Sequence, residues 1–231
     1  MMDNYENGQD RWNEIYAEDT PVDLRNLNLN VETLFDTCLK MFAEKTSRVL
    51  DFGCGTGDIL FQYAQYQKHG RGVGVDPAEN GIAFAKETAK KSGYKNLHFF
   101  CGDTKFLDTF EKGEFNGIIL SNVLDVMTKE ESHEMLTALN RVLNDDGYWF
   151  VKLNPYYSKE ELKEMEYEDL GNNMYGKNGV LYLRQESTEH WMQVFDEFAE
   201  VGRYVEFPYS WQPGMNRIFL LKKKSSEENS L

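Results

Sequence analysis

The chain has 231 residues, 41% hydrophobic and 14% aromatic. That composition excludes a largely disordered protein and is enough for one substantial core. A formal charge of −14 opposes the approach of polyphosphate, so nucleic acid is excluded as an expected partner. No apolar run reaches the roughly eighteen residues of a membrane span, and Met1-Met2-Asp3-Asn4 begins no secretory signal, so a cytoplasmic protein with no membrane partner is expected.

In chain order, residues 9–18 predict a short amphipathic helix. Residues 31–44 predict another, because Leu34, Phe35, Cys38, Leu39 and Phe42 recur at helical spacing. Val49 and Leu50 then close a buried strand that runs through Asp51 into Gly53, Gly55 and Gly57, one glycine at every second position. Such glycines allow positive φ and let a ligand reach the main chain without meeting a Cβ. A helix follows on the apolar face of Ile59, Leu60, Tyr63 and Ala64, and its first turn offers unpaired N–H groups to an anionic part of a ligand.

A second buried strand, residues 72–76, ends in Asp76, about 20 residues past the glycines, where a ribose-binding carboxylate belongs. A helix over residues 80–92, a third strand from residue 97 followed by Asp103, and a fourth apolar run over 115–124 come next. Residues 129–143 predict a helix ended by the turn Asn144-Asp145-Asp146-Gly147, before a fifth strand over 148–153. Beyond it the composition changes: a charged helix over 158–169, a Gly- and Asn-rich stretch over 171–179 and a short strand over 180–184. A helix over 189–198 and strands over 204–207 and 217–222 complete the chain before a polar, frayed tail. Cys38, Cys54 and Cys101 are odd in number and suit reduced thiols, and no Cys/His spacing suggests a metal.

The turn reads Gly-x-Gly-x-Gly and not the Gly-x-Gly-x-x-Gly of dinucleotide enzymes. Asp58 stands where the third dinucleotide glycine would fall, and a carboxylate there disfavours a pyrophosphate. Val49-Leu50-Asp51-Phe52-Gly53-Cys54-Gly55-Thr56-Gly57 resembles the first motif of the class I S-adenosylmethionine-dependent methyltransferases. The resemblance implies a Rossmann-like α/β fold: a seven-stranded, mostly parallel sheet with helices on both faces, an antiparallel last strand and a small cover inserted between strands five and six. It implies a single domain over 1–231, with leading helices to residue 45, a cofactor core over 46–153, an acceptor cover over 154–187, completion of the core over 188–223 and a flexible tail over 224–231.

The implied cofactor is S-adenosyl-L-methionine, leaving as S-adenosyl-L-homocysteine. By resemblance Asp51 helps hold its ammonium group, and Gly53, Cys54, Gly55 and Gly57 pass its methionine end. Asp76, followed by Pro77, takes the ribose hydroxyls; Asp103 takes the adenine amino group, with the main chain of Thr104 beside it; Ser121 and Asn122 lie next to the reactive methyl. Leading helices of this family close over the cofactor, which makes Tyr16, Trp12 and Arg25 candidates to reach it.

Other readings stay open for several of these residues. Asp76, before Pro77, is also a possible cap, and Cys54 a small apolar filler. Asn154-Pro155-Tyr156-Tyr157 resembles the Asn-Pro-Pro-Tyr signature of base-amino methyltransferases, but it follows the fifth strand where that motif follows the fourth, and it lacks the second proline. Asp125 and His190 are the catalytic candidates, each with a helix-capping or solvent-facing alternative. Tyr157, Tyr175 and Tyr182 are the substrate candidates in the cover, where aromatic rings suit a planar or cationic acceptor as well as ordinary core. A small-molecule acceptor is expected, with oxygen, nitrogen and carbon all open, and a homodimer is compatible with the sequence. The alternative is a non-catalytic S-adenosylmethionine-binding or regulatory protein.

Overall fold

The computed structural model describes residues 9–224. Two helices lead: α1, Gln9–Tyr16, and α2, Thr33–Lys45, the second capped by Glu32, whose carboxylate accepts from the Leu34 and Phe35 amides. Strands β1 (Arg48–Phe52), β2 (Arg71–Asp76), β3 (Leu97–Cys101), β4 (Phe115–Ser121) and β5 (Leu143–Leu153) alternate with α3 (Asp58–Tyr66), α4 (Glu79–Ser92) and α5 (Lys129–Val142). A helix α6 (Lys159–Glu164) and three short strands, β6 (Glu168–Gly171), β7 (Met174–Lys177) and β8 (Val180–Arg184), interrupt the pattern. It closes with α7 (Thr188–Asp196), β9 (Ala199–Tyr209) and β10 (Gln212–Lys223).

The main sheet has the order β3-β2-β1-β4-β5-β10-β9. The first five strands are parallel, and β10 runs antiparallel between β5 and β9. Its central strands are apolar on both sides because helices cover both faces, as a parallel sheet requires. Leu50, Ile118, Leu120, Trp149 and Val151 face a core shared with α5 and α7, whereas Val49, Ile119 and Phe150 face Phe35 and Phe42 of α2 and the apolar sides of α3 and α4. The strand order reverses on either side of β1, so the carboxyl ends of β1, β2 and β4 open a crevice at the switch point. This matches the architecture implied by the resemblance.

Two expectations change. Residues 144–147 do not end α5 as a free turn. They lie within β5 as an irregularity, the pairing stepping from Phe115↔Leu143 to Gly117↔Tyr148. The charged helix of the insertion is one short turn and a half, because Glu168 onward pairs as a strand. The Gly- and Asn-rich stretch, set apart in the sequence by composition alone, forms two tight hairpins in a second sheet of order β6-β7-β8. Asn172 and Asn173 (φ 53° and 61°), and Asn178 and Gly179 (φ 53° and 76°), supply the paired left-handed residues that two-residue hairpin turns demand. The expected tail beyond residue 224 lies outside the described residues. Among the described residues no helix is long and apolar enough to cross a membrane.

Gly176 is tied to the close approach of its own hairpin: a Cβ there would stand 2.0 Å from the Val180 carbonyl oxygen, which is backbone and has nowhere to move. Gly176→Ala is expected to cost about 1–3 kcal/mol and to open the 168–184 meander to limited proteolysis before the main sheet unfolds. Thermal melting with a timed protease digest checks this, and unchanged resistance of the segment would contradict it.

Candidate cofactor and acceptor site

The junction between β1 and α3 is built from three glycines in the left-handed region, with φ of 74° at Gly53, 50° at Gly55 and 85° at Gly57. The turn is held from β2, where the Gly53 and Cys54 amides donate to the Val75 carbonyl at 2.8 and 3.2 Å. Asp76, at the end of β2, completes the frame: its two carboxylate oxygens accept from the Gly55 and Ala78 amides, each at 2.8 Å. The acid expected to meet the ribose is thereby fixed in rotamer and aimed along the turn.

Asp51 and Asp76 are both buried, at 2% and 8% exposure, and Asp58 stands at the exposed mouth, its Oδ2 accepting from the Thr56 hydroxyl at 3.0 Å. Burial, then the neighbouring charges of Asp76 and Asp58, push the Asp51 carboxyl well above the ordinary range. Burial likewise raises Asp76 against the lowering effect of its two amide donors, and raises the Cys54 thiol beside Asp51 and Asp76. Among the described residues the charges bearing on Asp51 are those of Asp76 and Asp58, both negative. A pocket of this kind is electrostatically incomplete, and a ligand carrying an ammonium and a sulfonium centre fits it, since each cation relieves the cost of keeping the carboxylates ionised.

Tyr16 comes to this turn from α1. A Cβ on Gly55 would lie 2.5 Å from the Tyr16 hydroxyl oxygen, and one on Gly81 of α4 would lie 2.8 Å from its ring. Burial and the charges of Asp76 and Asp58 raise the Tyr16 phenol above its usual range. The helix is pinned by an amide pair: the Asn80 backbone N–H donates to Asn13 Oδ1 at 2.9 Å, and Asn80 Nδ2 donates to the Asn13 carbonyl at 2.8 Å. Trp12 stacks on Tyr16 at 5.8 Å. Arg25, expected as a candidate to reach the cofactor, instead forks onto Asp23 at the exposed surface, two residues away in sequence.

Asp103 is exposed and caps the 3-10 turn Thr104–Thr109, its Oδ1 accepting from the Lys105 amide at 2.9 Å, with Thr104 in the first position of that turn. Pro77 is half-buried beside Asp76, and its carbonyl accepts from the Cys101 thiol at 3.4 Å. Ser121 ends β4, and Asn122 follows with φ 56°, in the left-handed region that asparagine enters more readily than other non-glycine residues. The next side chain, Val123, packs against the glycine turn so closely that a Cβ on Gly53 would stand 2.5 Å from its Cγ2. The ends of β1, β2 and β4 thus converge on one crevice.

Asp125 is fully buried; its Oδ2 accepts from the Asn154 amide at 2.6 Å, and its Oδ1 has no hydrogen-bond partner. Burial raises its carboxyl, opposed by the Asn154 amide and by the charges of Lys152 and Arg217. His190 lies in the first turn of α7, with its Nε2 4.0 Å from Glu186 and its ring edge-on to Trp191. These contacts join it to the Arg184–Glu186 pair on the α7 side. Asn154-Pro155 follows β5, as expected for a loop entry.

Within the cover, Tyr157 is 7% exposed and packs with Leu162 and Leu183, with Tyr167 and Tyr175 against them. Gln212 Nε2 donates to its hydroxyl at 3.3 Å. Tyr182 turns toward α1, where the Arg11 guanidinium lies 3.7 Å from the centre of its ring and 4.9 Å from that of Trp12. Arg11 therefore clasps the leading helix to the meander, and the two close over the crevice together.

Sequence reasoning missed Arg11 and, more consequentially, Lys152, a lysine 3% exposed in the apolar second half of β5. Its Nζ donates to Asn122 Oδ1 at 2.7 Å and stands 5.3 Å from the centre of the Tyr209 ring. Burial lowers its ammonium to about 8, against the raising charge of Asp125. The signal was present: a cation inside Tyr148-Trp149-Phe150-Val151-Lys152-Leu153 has no business there unless it faces something polar. Two surface hollows, about 310 Å³ between α2 and α3 and about 520 Å³ beside Arg71 and His98, lie away from the glycine turn. Among the described residues no cluster of side chains is arranged to hold a metal ion.

Residues 43–199 match a family described as a methyltransferase domain. The chain is 29% identical over 177 residues to the release factor glutamine methyltransferase of Buchnera aphidicola subsp. Acyrthosiphon pisum, covering 62% of each chain. It is 35% identical over 104 residues to the demethylmenaquinone methyltransferase of Lactococcus lactis subsp. lactis, covering 43% of this chain and 38% of that one. The matched stretch is less than two thirds of either relative's length. Among solved structures, the 1,6-didemethyltoxoflavin N1-methyltransferase of Burkholderia thailandensis, with 1,6-didemethyltoxoflavin and S-adenosylhomocysteine bound, superposes with a TM-score of 0.67 over 83% of this chain and 77% of that one. At 13% identity this is a likeness of fold.

The raised Asp51 carboxyl fixes the sign of a pH effect. The folded chain binds a proton there more tightly than the unfolded chain, so stability falls as pH climbs from the unfolded carboxylate value to the raised folded one. Asp51→Asn is therefore expected to melt higher than the parent at pH 7.5, the difference fading as the medium is acidified, while its affinity for S-adenosylmethionine falls at least about tenfold, or roughly 1.4 kcal/mol. Melting curves and calorimetric titrations at two pH values check both halves. An unchanged melting temperature together with unchanged affinity would contradict the assignment.

Proposed function

Because the chain belongs to the class I S-adenosylmethionine-dependent methyltransferases, we propose that it transfers the methyl group of S-adenosyl-L-methionine to a small-molecule acceptor by in-line displacement. The observation that carries the cofactor half is the glycine turn framed by Asp76 and floored by Asp51, an acidic cradle with no cation of its own. The cofactor supplies a methyl group that is already electrophilic, so the protein's part is alignment and exclusion of water. Asp51 holds the ammonium group, the glycine turn carries the methionine end, Asp76 accepts from the ribose, and Tyr16 closes over them. Asp103 and the main chain at Thr104 take the adenine edge. Ser121 and Asn122 border the methyl.

The acceptor half rests on the cover. Arg11 clasps α1 to β8, and the meander is packed around Tyr157, Leu162 and Leu183. A cover tied to the leading helix supports a small acceptor over a folded protein, and a formal charge of −14 opposes a nucleic acid. The relatives act on diverse acceptors by name, a release factor glutamine and demethylmenaquinone among them, so the cover and not the family sets the choice.

Asp76→Ala is expected to lose about 2–4 kcal/mol of S-adenosylhomocysteine binding, because two charge-assisted hydrogen bonds to the ribose disappear. Calorimetry against the folded variant reads this directly. Wild-type binding of NAD equal to that of S-adenosylhomocysteine, or an unchanged affinity in the variant, would overturn the cofactor placement. Tight cofactor binding with no methyl transfer to any amine, phenol, acid or carbon acid would leave a binding protein in place of an enzyme.

A further inference from the structure

The two halves of the crevice carry opposite charge. At the glycine turn, carboxylates lack a cation. At the ends of β4 and β5 the situation inverts: Lys152, Arg217 and Arg184 are each 3% exposed, and the carboxylates among them are Asp125 and Glu186. Arg184 is accounted for by Glu186 at 3.6 Å and by the carbonyls of Met127 and Leu124, each at 3.0 Å. Arg217 donates to the carbonyls of Glu186 and Asn154, is opposed across the ladder by exposed Glu206, and feels Asp125. That leaves Lys152 as a buried ammonium whose hydrogen-bond partner is the neutral amide oxygen of Asn122.

The groups packed around Lys152 leave donors of its ammonium unused. From β4 and its following turn come Asn122, which accepts from Nζ, and Asp125, which acts on Lys152 through its charge while its Oδ2 accepts from the Asn154 amide. From β9 comes the ring of Tyr209. The acids of α2 beyond that ring are spent elsewhere, Glu32 on the Leu34 and Phe35 amides and Asp36 on Gln62. An ammonium has three donors, and one of these is used on Asn122. The pair Lys152–Asn122 stands beside the glycine turn, because Val123 packs on Gly53. A buried cation with spare donors at the edge of the crevice is matched by an anionic oxygen.

Building on the methyl-transfer reading, we propose that the acceptor is a small molecule with an acidic oxygen, a phenol, enol or carboxylic acid, and that Lys152 Nζ binds this oxygen as its anion and presents it to the methyl group. The acceptor's proton leaves to water before transfer. A lone pair of the oxyanion then forms the O–CH3 bond as the S–CH3 bond of S-adenosylmethionine breaks, its electron pair remaining on sulfur. Lys152 stays an ammonium throughout, the oxyanion and sulfonium charges cancel, and the neutral ether or ester holds less strongly to Lys152 than the anion did. Asn122, in the left-handed turn at the end of β4, positions the ammonium.

The test uses the full chain saturated with S-adenosylhomocysteine and three probes of one size: benzoate, benzyl alcohol and benzylamine. Benzoate is expected to bind more tightly than the other two, and Lys152→Met to weaken it at least tenfold while leaving S-adenosylhomocysteine affinity within twofold. Lys152→Arg, which keeps the charge, is expected to recover part of the benzoate affinity. Removing one member of a buried charged pair is destabilising, here because Asp125 keeps its charge without Lys152, so a melting curve verifies that the variant folds; were it unfolded, Asn122→Gly, with loss of benzoate affinity, serves in its place. Benzylamine binding as well as benzoate, absence of benzoate binding, or benzoate binding indifferent to both substitutions would overturn the proposal. If benzoate binding follows Lys152 yet no labelled methyl reaches any acid, phenol, enol, amine or carbon acid, the methyl-transfer reading fails and the anion site stands; transfer to an amine or carbon acid alone would overturn the proposal.

Discussion

The structure depends on a single electrostatic arrangement: carboxylates gathered around a left-handed glycine turn at the switch point of the sheet. Asp76 cannot be removed from this arrangement without loosening the turn, since it receives the Gly55 and Ala78 amides, and Asp51 cannot leave because it is part of β1. Burial raises both carboxyls. A fold of marginal stability tolerates this cost at a place where a cationic ligand recovers it. The rest of the molecule positions that place: parallel β1, β2 and β4 deliver the acids and Asn122 to one edge, and the two apolar cores hold the strands in register.

Closure follows from the same site. Tyr16 rests on Gly55 and Gly81, where side chains would collide, so the leading helix is seated by the same absence of Cβ that admits a ligand. The Asn13–Asn80 amide pair fixes its angle, and Arg11 ties it to Tyr182 of the meander. Lifting the leading helix therefore breaks the Arg11 clasp, the two Asn13–Asn80 hydrogen bonds and the seating of Tyr16, each of modest strength. That is a scale compatible with exchange of a cofactor on every turnover.

Much of this was legible in the sequence, because periodicity and spacing report local constraints. The glycine turn, Asp51, Asp76 and the two flanking apolar strands are contiguous patterns, and they fold as read. The Gly- and Asn-rich stretch carries no strand pattern, yet Asn172-Asn173 and Asn178-Gly179 are hairpin turns, whose left-handed residues follow from backbone sterics. The turn at Asn144–Gly147 vanished into β5 because a parallel neighbour absorbs it as an irregularity, which is tertiary information. Arg11 and Lys152 became meaningful only when distant segments met: Arg11 faces a ring 171 positions on, and Lys152 an amide 30 positions back. Arg25 had a suitable charge and a suitable place in the chain, but a neighbour two residues away captured it.

The central claim is that unpaired carboxylates make the cofactor site, and it has a direct thermodynamic signature. A cation entering the cradle lowers the raised carboxyls, so protons bound in the free protein must be released. Calorimetric titration of the protein with S-adenosylmethionine at mildly acidic pH, in two buffers of different ionisation enthalpy, counts those protons. The account predicts net proton release on binding, diminished in Asp51→Asn. Binding without proton exchange, or with proton uptake, would contradict it.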